Sequence, residues 1–196
     1  MPKLDDLIKF RKPPKNRAGK AEGGLEKDFT EAAVMLAYAI YLLREYDGLT
    51  EIELHPDGEH GKRFDIRDWL ERRGYVLIEP QGKTTYCGRY TNGSRSILVS
   101  SRPGMGDVLA KMERHTIVAE CKGGIINSKH AGQRSRLRRG LCEAVGLLMS
   151  REATEERHYA VVPLTDDTQR LAERMRPRCT KAGVEIILIR EDGTLA

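Results

Sequence analysis

The segments Gly106-Asp107-Val108-Leu109-Ala110 and Thr116-Ile117-Val118-Ala119-Glu120-Cys121-Lys122-Gly123-Gly124 decide how this chain is read. Each holds a short apolar run, and the link Lys111–His115 between them is short and polar. That pattern predicts two antiparallel neighbouring strands. Residues two apart on a strand point to the same side, so Glu120 and Lys122 share a face. A carboxylate and an ammonium at the end of an apolar strand are costly unless they pair or hold a ligand. With Asp107 on the adjacent strand, two carboxylates and one lysine converge.

This trio suits phosphodiester hydrolysis. Paired carboxylates attract a hard cation such as Mg²⁺, which takes oxygen ligands and keeps several waters. The backbone carbonyl of Cys121 is a further candidate oxygen ligand. A metal there polarises the phosphate and acidifies a bound water. Lys122 then orients or deprotonates that water and offsets charge on phosphorus. Its own pKa is expected to fall near the cation, which allows a base role.

Working outward, Leu25–Tyr46 reads as a helix, with Phe29, Ala33, Leu36, Ile40 and Leu43 at three- and four-residue spacing. Glu51–Leu54 alternates, and His55-Pro56-Asp57-Gly58 reads as a turn. Arg63–Arg73 is a second expected helix stopped by Gly74, and Tyr75–Ile78 a strand. Thr84–Tyr90 and Ser96–Ser100 flank Asn92-Gly93 as a hairpin, read as an inserted ribbon. Beyond Lys122, the sequence predicts a helix over Ser128–Met149 and a strand at Tyr159–Val162. A helix at Asp166–Ala182 follows, capped by Thr165 or Asp166 and kinked or shortened by Pro177. Val184–Ile189 closes the order as a strand buried on both faces. The fold class is therefore α/β, one domain with a central mixed β-sheet flanked by helices.

The arrangement resembles the PD-(D/E)xK nuclease superfamily over roughly residues 64–189, on Asp107 and Glu120-Cys121-Lys122 within this order of elements. The stretches "FDIRDWLERRGYVLI", "GDVLA" and "IVAECKGG" are most similar to Mrr-type restriction enzymes and resolvase-like nucleases. Gly106 stands where the family has its name-giving proline. The resemblance implies a restriction-endonuclease-like three-layer domain over residues 25–196. It also implies Asp107 and Glu120 as metal ligands, Lys122 as the residue aiding the attacking water, and Mg²⁺ as cofactor with Mn²⁺ as a substitute. A further acidic residue on an N-terminal helix is common in the family. Glu31 and Glu71 are the candidates, with Asp68 behind them, and the buried character of its helix favours Glu31.

The helix after Lys122 carries an apolar stripe of Leu137, Leu141, Val145 and Leu148. Projected back at 100° per residue, the stripe passes through His130, Gln133 and Arg134. Lys129, His130, Gln133, Arg134 and Arg138 are accordingly the candidate nucleic-acid contacts, Gln133 matching a glutamine that the family often places near the metal. Arg136 and Arg139 fit a solvated face equally well.

Composition sets the remaining bounds. The 196 residues carry a formal net charge of +5, which suits a polyanionic partner. Residues 1–24 hold seven Lys and Arg and few apolar side chains, and read as a flexible basic arm. The four cysteines form no CxxC pair, so neither a zinc site nor a disulfide framework is expected. No secretory signal is expected, and the run Ala32–Leu43 is too short to span a bilayer, which predicts a cytoplasmic protein with no membrane partner. The expected function is a metal-dependent DNA endonuclease in defence, restriction or repair, with RNA or exonucleolytic cutting on the same chemistry left open. The alternative is a catalytically silent nucleic-acid-binding or scaffold module. So small a chain cuts both strands as a homodimer or by successive nicks, and a larger complex is the other expected assembly.

Overall fold

A computed structural model describes residues 4–13, 24–102, 104–152 and 155–196. The order begins β1 (Lys9–Arg11), β2 (Glu26–Phe29), α1 (Glu31–Glu45), β3 (Glu51–Leu54), α2 (Gly58–Arg63) and α3 (Ile66–Glu71). It continues β4 (Val76–Pro80), β5 (Gly88–Asn92), β6 (Arg95–Val99), β7 (Val108–Lys111), β8 (Thr116–Cys121) and β9 (Gly124–Ile125). It ends α4 (Ala131–Met149), β10 (Glu156–Pro163), α5 (Asp166–Lys181) and β11 (Val184–Ile189).

Eight strands form one mixed sheet in the order β11-β10-β8-β7-β3-β6-β5-β4. The β7–β8 pair is antiparallel, as its short link requires, and β8 runs parallel to β10. Alternation along β8 sorts its residues between two cores. Ile117, Ala119 and Cys121 join the cluster built around α1, and Val118 joins the cluster under α4 and α5. Helices thus cover both faces, and β8 lies inside the sheet with buried residues on each side.

Helix α1 forms because an apolar run follows a competent cap. The Thr30 side chain accepts the Ala33 N–H at 3.3 Å. Eleven of its residues, from Ala32 to Leu43, are buried. In α5, Thr165 caps and Thr168 returns the bond in a capping box.

Several expectations are corrected. The segment Glu26–Phe29 is a strand rather than the first turn of α1, because it is stitched between β1 and β9 in a small separate sheet. Residues 4–13 of the expected flexible arm are packed: Leu4 and Leu7 are buried and β1 pairs with β2. The rest of that arm lies outside the described residues. The hairpin around Asn92-Gly93 is no inserted ribbon, since β6 pairs in parallel with β3 inside the main sheet. Pro177 lies within α5 without ending it. Strand β11 is an edge strand with Glu185 exposed, so it is not buried on both faces. Among the described residues, no helix is long and apolar enough to cross a membrane.

Candidate active site

Asp107 sits one residue before β7 and is stitched to β8 on either side of Glu120. Its N–H donates to the Ala119 carbonyl at 2.9 Å, and its Oδ2 accepts the Cys121 N–H at 2.7 Å. From the other neighbour, the His55 N–H at the end of β3 donates to the Asp107 carbonyl at 3.0 Å. These bonds fix the backbone of Asp107 and the orientation of its carboxylate.

Lys122 leaves the end of β8 between two helices. Its Nζ lies 3.3 Å from Glu31 Oε1 and 3.5 Å from Glu143 Oε1. Glu31 is the first residue of α1, and its approach depends on Gly123. A Cβ on Gly123 would stand 2.3 Å from the Glu31 nitrogen and 2.5 Å from the Phe29 carbonyl oxygen. Only a residue without a side chain lets the start of α1 come so near the strand end. On the α4 side, a Cβ on Gly140 would meet Lys122 Cβ at 3.1 Å, so α4 also closes tightly over the lysine.

The electrostatics follow from carboxylates crowded in a half-buried place. Burial pushes the Asp107 carboxyl up to about 7, with Glu120 and Glu31 adding to the rise and the Cys121 N–H and Lys122 opposing it. Glu120 is raised as well, by burial first, while Lys122 and Arg151 pull it down. For Lys122, burial works to lower the ammonium, but Glu31, Asp107 and Glu143 outweigh it and the net shift is upward. The surrounding carboxylates therefore keep the Lys122 side chain an ammonium.

The donor chemistry fits a hard divalent cation. Glu120 and Glu31 add to the rise at Asp107, and Glu31 adds to that at Glu120; a cation relieves that repulsion. Among the described residues, no three His, Cys, Asp or Glu side chains form a ready cage. Two carboxylates with a backbone oxygen at Cys121 suit an ion that retains waters, as Mg²⁺ does.

The other expected residues are placed less uniformly. Glu71 is not brought to the site: it pairs with Arg67 at 2.8 Å on the exposed side of α3. Asp68 pairs with Arg72. Lys129 and His130 are exposed just before α4, and His130 makes no side-chain cap bond. Gln133 is half-buried on the first turns of α4, and Arg138 is exposed. Arg134 is engaged within the protein, its guanidinium meeting Asp167 at 2.5 and 2.9 Å. A cleft of about 440 Å³ runs past Lys129 and Arg134 to Thr165, Asp166 and Asp167. Sequence reasoning missed Glu143 and Gly140, both of which face Lys122. They lie on α4 about two and three turns beyond Gln133, where the lysine reaches the helix.

No protein-family model matches the chain, and neither do any of the curated proteins or solved structures with which it was compared.

Proposed function

We propose that the chain is a metal-dependent nuclease of restriction-endonuclease-like fold, with DNA as its favoured substrate. One observation carries the reading. Asp107 is held by β8 on both sides of Glu120, and Lys122 projects from the same strand end into carboxylates. Carboxylates gathered at a half-buried strand end are costly, and a bound cation offsets that cost.

When bound, Mg²⁺ supplies Lewis-acid polarisation of the scissile phosphate and a more acidic water. Asp107, Glu120 and the Cys121 carbonyl would hold it. Asp107 brings a carboxylate whose direction is already set by the Cys121 N–H, so little ordering remains when the ion arrives. Lys122, kept charged by Glu31, Asp107 and Glu143, neutralises the negative charge that builds on the phosphorane. Glu31 holds that ammonium in place and lends its carboxylate to the edge of the metal site. Lys129, His130 and Arg138 are exposed along the α4 entrance and serve as backbone-phosphate contacts.

The test is incubation with supercoiled plasmid, linear duplex, single-stranded DNA and RNA in Mg²⁺, Mn²⁺ or EDTA. Cutting is expected with metal only, and Lys122→Ala or Asp107→Ala is expected to reduce it at least about 1,000-fold. Cutting that survives both substitutions overturns the reading. Binding without cutting by the wild type points instead to a silent nucleic-acid-binding module.

A further inference from the structure

A second cleft lies at the other end of α1. Its volume is about 890 Å³, and Arg44, Arg72, Arg73 and Arg95 line it together with Asp5, Asp6 and Tyr75. Glu31 and Arg44 are thirteen residues apart on one helix, so the cleft is about 20 Å from the metal-binding carboxylates. It shares no lining residue with the candidate active site.

Four guanidinium groups around one cleft repel one another and need anions. Arg44 has an interaction of its own within the protein, and Arg72 and Arg73 are answered in part. Asp6, the one non-glycine residue with positive φ (61°) among the described residues, turns its carboxylate onto Arg72 at 2.6 Å. Arg72 also meets Asp68 at 3.0 Å. Arg73 stacks over Trp69, its Cζ 3.7 Å from the ring centroid, and donates to the Asp5 and Trp69 carbonyls. Burial and the neighbouring Arg72 push the Arg73 pKa down. Arg95 makes no ion pair or hydrogen bond from its side chain among the described residues, although it lines the cleft beside Tyr75. The rim at Asn92-Gly93-Ser94 adds the Ser94 hydroxyl on a turn held open by Gly93, at φ 60°, while the Asn92 side-chain amide donates to the Arg73 carbonyl at 3.1 Å.

We infer that this cleft binds a phosphate-bearing ligand, with Arg95, which has no partner among the described residues, available for it and Arg73 held rigid by its stack on Trp69. A guanidinium fork matches a phosphate oxygen pair better than an ammonium does, which accounts for four arginines and no lysine in the lining. Two sources share that chemistry: the backbone of a nucleic-acid strand, and a free nucleotide. The inference stands apart from the nuclease reading, because binding needs no chemistry at Asp107.

The experiment measures binding in EDTA, where nothing is cut. Labelled 30-nucleotide single and double strands and a fluorescent ATP analogue are titrated against the wild type, Arg95→Gln, Arg95→Glu and Arg67→Gln. Arg67 pairs with Glu71 outside the cleft, so its loss controls for net charge. Arg95→Gln is expected to weaken one probe about tenfold and Arg95→Glu more, with Arg67→Gln near the wild type. If the strand is the ligand, Arg95→Gln also makes the salt dependence of log affinity shallower by about one. If the nucleotide is the ligand, only the ATP analogue responds. Unchanged affinity for every probe, or equal weakening by Arg95→Gln and Arg67→Gln, overturns the inference.

Discussion

Strand β8 turns Ile117, Ala119 and Cys121 to one face of the sheet and Val118, Glu120 and Lys122 to the other. On the first face every residue is fully buried against the α1 core. On the second, apolar Val118 gives way to a carboxylate and then an ammonium at the strand end. The same backbone thus packs a core on one side and, on the proposed reading, presents chemistry on the other. Period-two alternation makes this possible, because the two sets of side chains never compete for space. A substitution should therefore act on folding or on cutting according to its parity along β8.

The sharpest way to break that comparison is on the dry face. Ile117→Ala removes a fully buried side chain and is expected to cost about 3 kcal/mol, lowering Tm by roughly 6–12 °C. Cutting per folded molecule should change little. A loss of turnover as large as that of Lys122→Ala, at temperatures where the variant is folded, would show that the faces are not separable.

The wet face should behave in the opposite sense. The Asp107 carboxyl titrates near 7 in the folded chain, whereas the unfolded chain ionises near an ordinary value of about 4. Stability from the neutral carboxyl is therefore complete below that ordinary value and is lost as pH rises through about 7, with Glu120 acting in the same direction. Metal-free wild type should melt at lower temperature at pH 8 than at pH 5. Asp107→Asn should abolish cutting yet raise the pH 8 melting point by roughly 5 °C, and Mg²⁺ should stabilise only the wild type. A metal-free melting point that stays flat from pH 5 to 8 contradicts the crowding argued for this face.

The smallest effect separates the two candidate acidic residues. Glu31→Gln loosens the hold on Lys122 and is expected to raise the Mg²⁺ concentration for half-maximal cutting about tenfold. Glu71→Gln removes only an exposed pair with Arg67 and should leave that titration where it is. Equal responses from the two variants would remove Glu31 from the site.

The features readable from sequence were those set by local rules. Alternation and a short link placed β7 beside β8, apolar spacing gave most of α1, and Thr165 marked the start of α5. What escaped depends on partners far away in the chain. Glu26–Phe29 looks helical in isolation and becomes a strand only because β1 and β9 flank it. The parallel pairing of β3 with β6 leaves no local trace, so a sheet strand looked like an appended ribbon. Within the site, period-two spacing put Glu120 and Lys122 on one side of the strand, but the carboxylates that flank Lys122 are Glu31 and Glu143. Glu143 was not legible, because its approach depends on how closely α4 crosses the sheet at Gly140. The engagement of Arg134 by Asp167 was hidden for the same reason, lying across 33 residues.

The close approach at Gly123 also has a meaning for the timing of biosynthesis. The bond it permits, from Lys122 to Glu31, joins groups 91 residues apart. Long-range contacts of this kind form late, after the intervening segments have found their places. If the proposed reading holds, an unfinished chain able to cut nucleic acid would be a hazard to the cell that makes it. A chain made no further than Cys121 carries Glu31 without its lysine, so the proposed centre forms only after Lys122 has been made and β8 has come to lie beside the start of α1.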